Sequence, residues 1–462
     1  MNRHELLHHI AQSSRVLDNE GVLKFVAAHD APTPVSIRLH PSKWTGKPSL
    51  TPVPWASNAF YTNGRPSFTF DPLFHAGVYY VQEASSMFLE QAVKACGFVG
   101  KDILALDLCA APGGKSTHLL SIFGKDAVLV SNEVVRPRAK VLCDNITKWG
   151  MPNVCVTGSD TALFLGLPDY FDLVVVDAPC SGEGLFRKDL DAMQHWSKEA
   201  VSHCAARQAN ILEHAWATLR PGGFLIYSTC TYNRLENEEN VQRLIELGGT
   251  SIPIPVDSIW GVIDVCSENF WAYRFMPHLT MGEGFFISVV RKPESGHAFR
   301  PSHGKLSLKV STNAETQGWI SPTALQHLDV VAHNDKLLAM TKRMSALLPG
   351  IIQHVYPLQI GVEVATVKNG VNTPSHALAA SVIVNDDAFP INDTSLQEAV
   401  QYLRGNPVAG TGAKGWGIVS YNGQNLGFAK GAGNRWNNHY PTPLRIRDMR
   451  TDVMTTPLVD LT

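Results

Sequence analysis

The clearest regularity along the chain is an alternation of short apolar runs with longer amphipathic stretches. Ile103–Leu108, Ala127–Val130, Val154–Val156, Leu173–Val176 and Phe224–Ser228 are brief and rich in branched residues, as strands buried on both faces are. Gln82–Cys96, Arg136–Trp149 and Ala200–Arg220 repeat their apolar positions at helical intervals, and a further helix is expected to end near Phe123. Strand–helix alternation at this spacing predicts an α/β fold with a doubly wound, mostly parallel sheet.

The flanks read differently. Glu20–His29 predicts a helix and Val35–Leu39 a strand, within a small α+β leader rich in proline and aromatics. Arg38 interrupts that apolar strand, either as an RNA-facing contact or as a charge guarding a sheet edge. Lys292–Lys305, rich in Pro, Gly, Ser and His, reads as a linker, and Lys368–Ser375 as a second polar break. Helices are expected around Pro322–Leu328 and Asp335–Leu348, and again at Ser395–Leu403. Gly417–Ser420 and Leu426–Ala429 flank Tyr421-Asn422-Gly423, a hairpin signal. The expected domains are a leader at 1–76, a core at 77–292, a linker at 293–305, a middle domain at 306–372 and a last domain at 373–462.

Composition narrows the function. A chain of 462 residues exceeds what one core organises. A formal net charge of −2 provides no overall basic field, so a nucleic-acid partner must use a local patch. One candidate patch is Gln401–Arg450, with seven Lys/Arg against the single acid Asp448. Trp416, Tyr421, Phe428, Trp436 and Tyr440 interleave there, which suits base stacking beside phosphate contacts, or the core of a small β-domain. No apolar run approaches the ~20 residues of a membrane span, and MNRHELLHHIAQSSR lacks the core of a signal peptide. A cytoplasmic, reducing setting is therefore expected. Eight cysteines without a C-x-x-C suggest neither a disulfide framework nor a zinc knuckle. His4-Glu5-Leu6-Leu7-His8 matches H-E-x-x-H, but at the chain's start, without a long flanking helix, it reads as a plain helical turn. No metal is expected.

The chemistry gathers at strand ends. Cys109-Ala110-Ala111-Pro112-Gly113-Gly114-Lys115-Ser116 leads from the first core strand into a helix. Its glycines let backbone approach a ligand, and the helix start offers free N–H groups. The spacing fits neither the dinucleotide fingerprint nor the phosphate-cradling loop. Glu133, Asp160 and Asp177 end the next three strands. Each could be an ordinary cap. Together, beside a glycine loop, they suit a nucleoside: Glu133 for ribose hydroxyls, Asp160 for an adenine amino group. The lack of a phosphate loop favours a positive tail, as in S-adenosylmethionine. Asp177-Ala178-Pro179-Cys180-Ser181-Gly182 then supplies an acid and a thiol, and Thr229-Cys230-Thr231 a second thiol. A free cysteine is usually a small buried hydrophobe, but two at adjacent strand ends form a convergent group.

These motifs, AAPGGKS within Leu106–Ser116, DAPCSG at Asp177–Gly182 and STCTY at Ser228–Tyr232, resemble the Sun/Fmu-type RNA cytosine-5 methyltransferase family. Tyr273-Arg274-Phe275, Pro277-His278 and the Gly282–Phe286 run extend the likeness to about Arg291. Gly415-Trp416-Gly417 and Asn437-Asn438-His439-Tyr440-Pro441 resemble the PUA-like RNA-binding module of that family's bacterial ribosomal branch. The resemblance implies a Rossmann-like methyltransferase core with a small leader and two small C-terminal domains, the last PUA-like. It implies S-adenosyl-L-methionine as cofactor, touched by Cys109, Ala110, Ala111, Pro112, Gly113, Gly114, Lys115, Glu133, Asp160 and Asp177. It makes Cys230 the nucleophile, Cys180 the second family cysteine, and Asp177 the group at the base. The implied partner is small-subunit ribosomal RNA, bound by a monomer. A transfer-RNA cytosine methyltransferase and a ribosome-assembly RNA-binding factor are the alternatives. His40 stands where a polar Asn is expected. Removing the residues after Lys368 is expected to leave cofactor binding intact but to weaken RNA binding and flatten its salt dependence.

Overall fold

The computed structural model describes residues 2–44, 46, 48–267, 269–294 and 309–448. The expected linker from 295 onward, and the end of the last domain beyond 448, lie outside the described residues.

Five parallel strands form the centre, ordered Leu219–Thr229, Phe171–Asp177, Leu104–Asp107, Val128–Asn132, Val154–Thr157. Their apolar runs are buried because both faces are covered. Leu173, Val175, Ala105 and Leu129 enter one apolar layer, and Val174, Val176, Leu104 and Leu106 the other. That split follows the two-residue period of a strand. Phe285–Arg291, Trp271–Phe275 and Ile263–Cys266 continue the sheet antiparallel beyond Leu219–Thr229. The chain winds outward from Leu104–Asp107 to Val154–Thr157, then restarts on the other side at Phe171–Asp177. The order thus reverses between two neighbouring strands, and a crevice opens at their carboxyl ends.

Some expected elements are redrawn. Gln82–Cys96 is not one helix but a 3-10 turn, Ser85–Phe88, and a helix, Leu89–Ala95. Glu83 accepts the N–H groups of Ser85 and Ser86, which starts a new turn there. Asp335–Leu348 is helical only from Lys342, where Thr341 caps the helix Lys342–Ile352. Leu328–His333 and Lys336–Thr341 pair instead as a hairpin around Asn334, at φ +53°. The apolar run Leu337–Met340 suits either period, and the left-handed Asn decides it. The polar stretch Lys368–Ser375 is likewise no break. Val362–Lys368 pairs with Val371–Pro374 around Asn369-Gly370, so the expected boundary at 372/373 falls inside a strand. Pro357–Ile360 leaves this middle region and pairs with Val154–Thr157, covering that edge of the central sheet. Pro221-Gly222-Gly223 is not a free turn but an irregular start of the strand Leu219–Thr229.

In the leader, Ser36–Leu39 lies between Ala59–Tyr61 and Tyr79–Val81, so Arg38 guards no edge. Nor does it face RNA, since it is 1% exposed. Its guanidinium donates to Gln82 Oε1 at 3.0 Å, Thr117 Oγ1 at 2.6 Å and Ser121 Oγ at 3.0 Å, and lies 4.6 Å from the Trp149 ring. Arg38 therefore fastens the leader to two core helices, Gly114–Ile122 and Arg136–Trp149. His40 is also buried, and its Nε2 donates to the Trp149 carbonyl at 3.0 Å. Burial, then Lys43 and Arg38, hold its pKa well below the usual range, so the ring is neutral. The first helix, Arg3–Ser13, is anchored. Glu5 closes a capping box with Asn2, and Leu6, Leu7 and Ile10 join Phe186, Tyr232 and Met276.

The last module packs against the leader. Its Val400, Tyr402, Leu403 and Tyr440 share one apolar cluster with Ile37, Leu39, Phe70 and Leu73 of the leader. Of its aromatics, Tyr421, Phe428, Trp436 and Tyr440 are core residues, each 6% exposed or less. Trp416 reaches the surface, with His439 4.5 Å away and Lys430 Nζ 5.6 Å from its ring. No helix among the described residues is long and apolar enough to cross a membrane.

Candidate active site

The strand Leu104–Asp107 delivers a buried acid to the crevice. Asp107 is 0% exposed; its Oδ2 accepts the Ser116 hydroxyl at 2.7 Å, and its Oδ1 has no hydrogen-bond partner. Burial pushes its carboxyl up to about 7. Leu108–Gly113 then turns sharply. Gly113 sits at φ +111°, where a side chain is strained, and Gly114 begins the helix. A Cβ on Gly114 would meet Tyr80 at 3.4 Å and Gln82 at 3.6 Å, so the missing side chain leaves room between loop and leader. Cys109, Ala110, Ala111, Pro112, Gly114 and Lys115 all line the cleft. Gly113 supports them from behind, against Leu142.

Asp177, at the end of its strand, faces this loop. Its Oδ2 pairs with Lys115 Nζ at 2.8 Å, and its Oδ1 accepts the Ser228 hydroxyl at 2.8 Å. Burial alone would lower the Lys115 pKa, but the Asp177 charge and hydrogen bond outweigh it, and the net shift is upward. Lys115 is therefore a firmly held cation.

The two thiols meet beside this pair. Cys180 Sγ lies 3.2 Å from Cys230 Sγ, although the residues are fifty positions apart. Their hydrogen bond, then burial, raise the Cys180 pKa well above that of an ordinary thiol. Gly184 brings the two loops together: its N–H donates to the Cys230 carbonyl at 2.9 Å, and a Cβ there would strike Gly284 O at 2.6 Å. Glu183, 1% exposed, accepts the N–H groups of Tyr232 at 2.8 Å and Asn233 at 3.0 Å, plus Trp196 Nε1 at 3.0 Å.

Glu133 is placed differently from the loop residues. It borders an adjoining hollow with Val134, Arg136, Gly158, Tyr356 and Leu358. Its Oε1 accepts Val135 N–H at 2.9 Å. Its Oε2 lies 3.1 Å from Arg138 Nη1 as an ion pair but receives no hydrogen bond. Asp160 is exposed, and its Oδ1 caps the next turn through Ala162 N–H at 2.9 Å. Of the expected residues, the cleft thus unites the loop, Asp177 and Cys230, with Cys180 bonded behind. Glu133 lines the neighbouring hollow, and Asp160 lines neither.

Several lining residues escaped the sequence reading. Asp107, buried and not part of the cleft wall, escaped as well, although it ends a strand immediately before the glycine loop, by the same rule that found the other acids. Gln82 and Glu83 follow the strand Tyr79–Val81, which belongs to the leader's sheet although it lies beyond the expected boundary at 76, and Lys188 pairs with Glu283 at 2.7 Å across the mouth. Only Glu283, between two glycines, carried a local signal.

The family model described as 16S rRNA methyltransferase RsmB/F matches residues 100–291. The N-terminal domain of 16S rRNA methyltransferase RsmF matches residues 8–84, and the methyltransferase RsmF PUA domain matches residues 389–446. Ribosomal RNA small subunit methyltransferase F of Aliivibrio fischeri strain MJ11 is 33% identical over 454 residues, covering 92% of this chain and 94% of that one. Its namesake in Vibrio atlanticus is 32% identical over 473 residues, covering 96% and 97%. Among solved structures, a methyltransferase homologue from Pyrococcus horikoshii superposes with a TM-score of 0.51 at 28% identity, over 61% of this chain and 93% of that one. NSun6 from the same organism gives 0.52 at 19% identity, over 63% and 98%, a likeness of fold. The site therefore sits in a sequence that matches its relatives from the leader to the last module, and the chain belongs to the RsmB/F family of 16S rRNA methyltransferases.

Proposed function

We propose that the protein methylates carbon 5 of a cytidine in small-subunit ribosomal RNA, with S-adenosyl-L-methionine as donor. The observation that carries this is the thiol pair, 3.2 Å apart, of which Cys230 shares the cleft with Asp177 and Lys115 and Cys180 stands behind it. Methylation of an amino group needs no thiol. Carbon 5 is too weak a nucleophile without one.

The chain fits the donor. The hollow behind the glycine loop, the Asp107 Oδ1 and Glu133 Oε2 atoms left without hydrogen bonds, and the raised Asp107 carboxyl suit a cationic nucleoside. Cys109–Lys115 would border its charged end and Glu133 its ribose. Asp160 keeps one carboxylate oxygen for the adenine amino group. The bound donor supplies an electrophilic methyl group on a sulfonium.

In this reading the Cys230 thiolate adds to carbon 6, and the displaced electron pair makes carbon 5 enamine-like. Asp177 serves ring nitrogen 3, with the Lys115 ammonium as the proton source beside it. After methylation, a base must take the carbon 5 proton while the bond from carbon 6 to sulfur breaks back to the Cys230 thiolate. Cys180 is that base. Before attack, its proton is held in the hydrogen bond between the two sulfurs. Once Cys230 binds carbon 6 that hydrogen bond is lost; Cys180 then passes its proton to solvent water and, as the thiolate, takes the proton from carbon 5. The target base must leave any helix to reach the cleft. Exposed Lys430 beside Trp416 and His439, with exposed Lys414 and Arg435 on the same sheet, supplies the phosphate-binding face. The relatives' names favour ribosomal over transfer RNA.

The test is Cys180→Ala with small-subunit RNA and donor. It should accumulate a protein–RNA adduct, visible as a slow band on a denaturing gel that ribonuclease collapses. Cys230→Ala, and the double variant, should show none. Normal turnover by Cys180→Ala, or an adduct without Cys230, would overturn the assignment.

A further inference from the structure

We infer that the adjacent residues Glu236 and Asn237 are the positioning residues of the thiol pair, one for each sulfur. The inference rests on the roles proposed above for Cys230 and Cys180. Neither residue lines the cleft, and both are 0% exposed.

Glu236 holds the Cys180 loop. Its Oε2 accepts the N–H of Ser181, the residue after Cys180, at 3.0 Å, and Gln208 Nε2 at 2.7 Å. Gln208 Nε2 also donates to the carbonyl of Pro179, the residue before Cys180, at 3.0 Å. Glu236 Oε1 accepts Asn233 Nδ2 at 2.6 Å. Asn237 holds the Cys230 turn in the same way. Its Oδ1 accepts the Thr229 hydroxyl, and its Nδ2 donates to the Thr231 carbonyl at 2.9 Å. Each cysteine is therefore gripped on both flanks, and the two grips are joined by one peptide bond. A buried carboxylate among three side-chain and backbone donors is costly to keep for packing alone. It defines a distance between two loops that the sequence separates by fifty positions.

The grips predict opposite failures. In Glu236→Gln the volume is kept, but an amide has one acceptor oxygen, so its NH₂ must face a donor. Cys180 then drifts while Cys230 stays held. The variant should trap the protein–RNA adduct, as Cys180→Ala does, with turnover down about tenfold to a hundredfold, the usual result of displacement near 1 Å. Asn237→Ala loosens Cys230 instead. Placed in the Cys180→Ala background, it should cut adduct formation by a similar factor. A second reading needs no RNA. Diamide converts the two thiols to a disulfide, the protein losing two hydrogens to the reagent, and both variants should slow this step in peptide mass mapping. If Glu236→Gln fails to fold, Gln208→Met loosens the same loop through Pro179 and must also trap the adduct.

A trapped adduct in Glu236→Gln with slowed crosslinking supports the inference. If Cys180→Ala traps but Glu236→Gln loses adduct and turnover together, with unchanged crosslinking, the positioning role is wrong and the cysteine roles stand. If Cys180→Ala itself traps nothing, the cysteine roles fall, and this inference falls with them.

Discussion

Arg274 allows a quantitative test of what holds the Cys230 turn. It is 1% exposed, and the carboxylate facing it, Glu238, is 4% exposed. The guanidinium grips both oxygens: Nε to Oε1 at 2.7 Å, and Nη2 to Oε2 at 2.6 Å. Its Nη1 donates to the Tyr232 carbonyl at 2.6 Å, two residues past Cys230. Removing the arginine alone, as Arg274→Met, leaves Glu238 charged in a dry site. Breaking a buried pair from one side costs about 3–5 kcal/mol. Replacing both partners, as Arg274→Met with Glu238→Met, removes the stranded charge. Only the Tyr232 carbonyl then lacks its donor, a cost of about 1–3 kcal/mol. The double variant should therefore be more stable than the single one by about 2 kcal/mol, the difference of those ranges. Urea unfolding of wild type and the variants measures this directly, provided the slope is unchanged. A loss below about 1 kcal/mol in Arg274→Met, the range of an exposed pair, would refute the burial argument. So would a double variant less stable than the single.

Three further outcomes follow from other parts of the molecule. Glu133→Gln should weaken donor binding about tenfold to a hundredfold in calorimetry, the worth of hydrogen bonds to a charged acceptor, while melting is little changed; equal affinity would remove Glu133 from the ribose. Asp107 is ionised less readily in the folded chain, pushed up to about 7 from 3.8, so the native state binds more protons than the unfolded one across that window. Wild-type stability, relative to Asp107→Asn, should thus be fully retained below pH 4 and fall on the order of 1–4 kcal/mol as pH rises to 7; parallel stability–pH curves would contradict this. Leu403→Ala should cost about 2–5 kcal/mol and also weaken hydrogen-exchange protection in the leader strands Ser36–Leu39 and Tyr79–Val81, because Leu403 shares their cluster; loss confined to residues beyond 389 would mean the last module stands alone.

What could be read from the sequence followed periodicity. Arg136–Trp149 carried one clear helical period, Leu173–Val176 a short β-branched run closed by Asp177 and Pro179, and the acids and thiols followed the strand ends. Asp335–Leu348 failed because Leu337–Met340 is apolar throughout, so no period distinguishes strand from helix. Lys368–Ser375 failed because Asn369-Gly370 marks a hairpin as readily as a boundary. Arg38 shows a different limit: its partners Thr117 and Trp149 are far along the chain, and a long-range partner leaves no local mark. The same holds within the site. Cys180 and Cys230 were visible as motifs, but the Glu236 and Asn237 grips on their flanks depend on a turn that only the folded chain creates. The docking of the last module on the leader was not legible either, since a basic, aromatic segment does not reveal which side it packs against.

The most direct measurement is the chemical identity of the product. Small-subunit ribosomal RNA lacking its modifications, incubated with the protein and a donor carrying an isotopically labelled methyl group, is digested to nucleosides and resolved by mass spectrometry. The label should appear in 5-methylcytidine, at a single position on sequencing, and vanish with Cys230→Ala. Label on an amino group or a ribose, or undiminished 5-methylcytidine from Cys230→Ala, would contradict a mechanism built on the thiol pair.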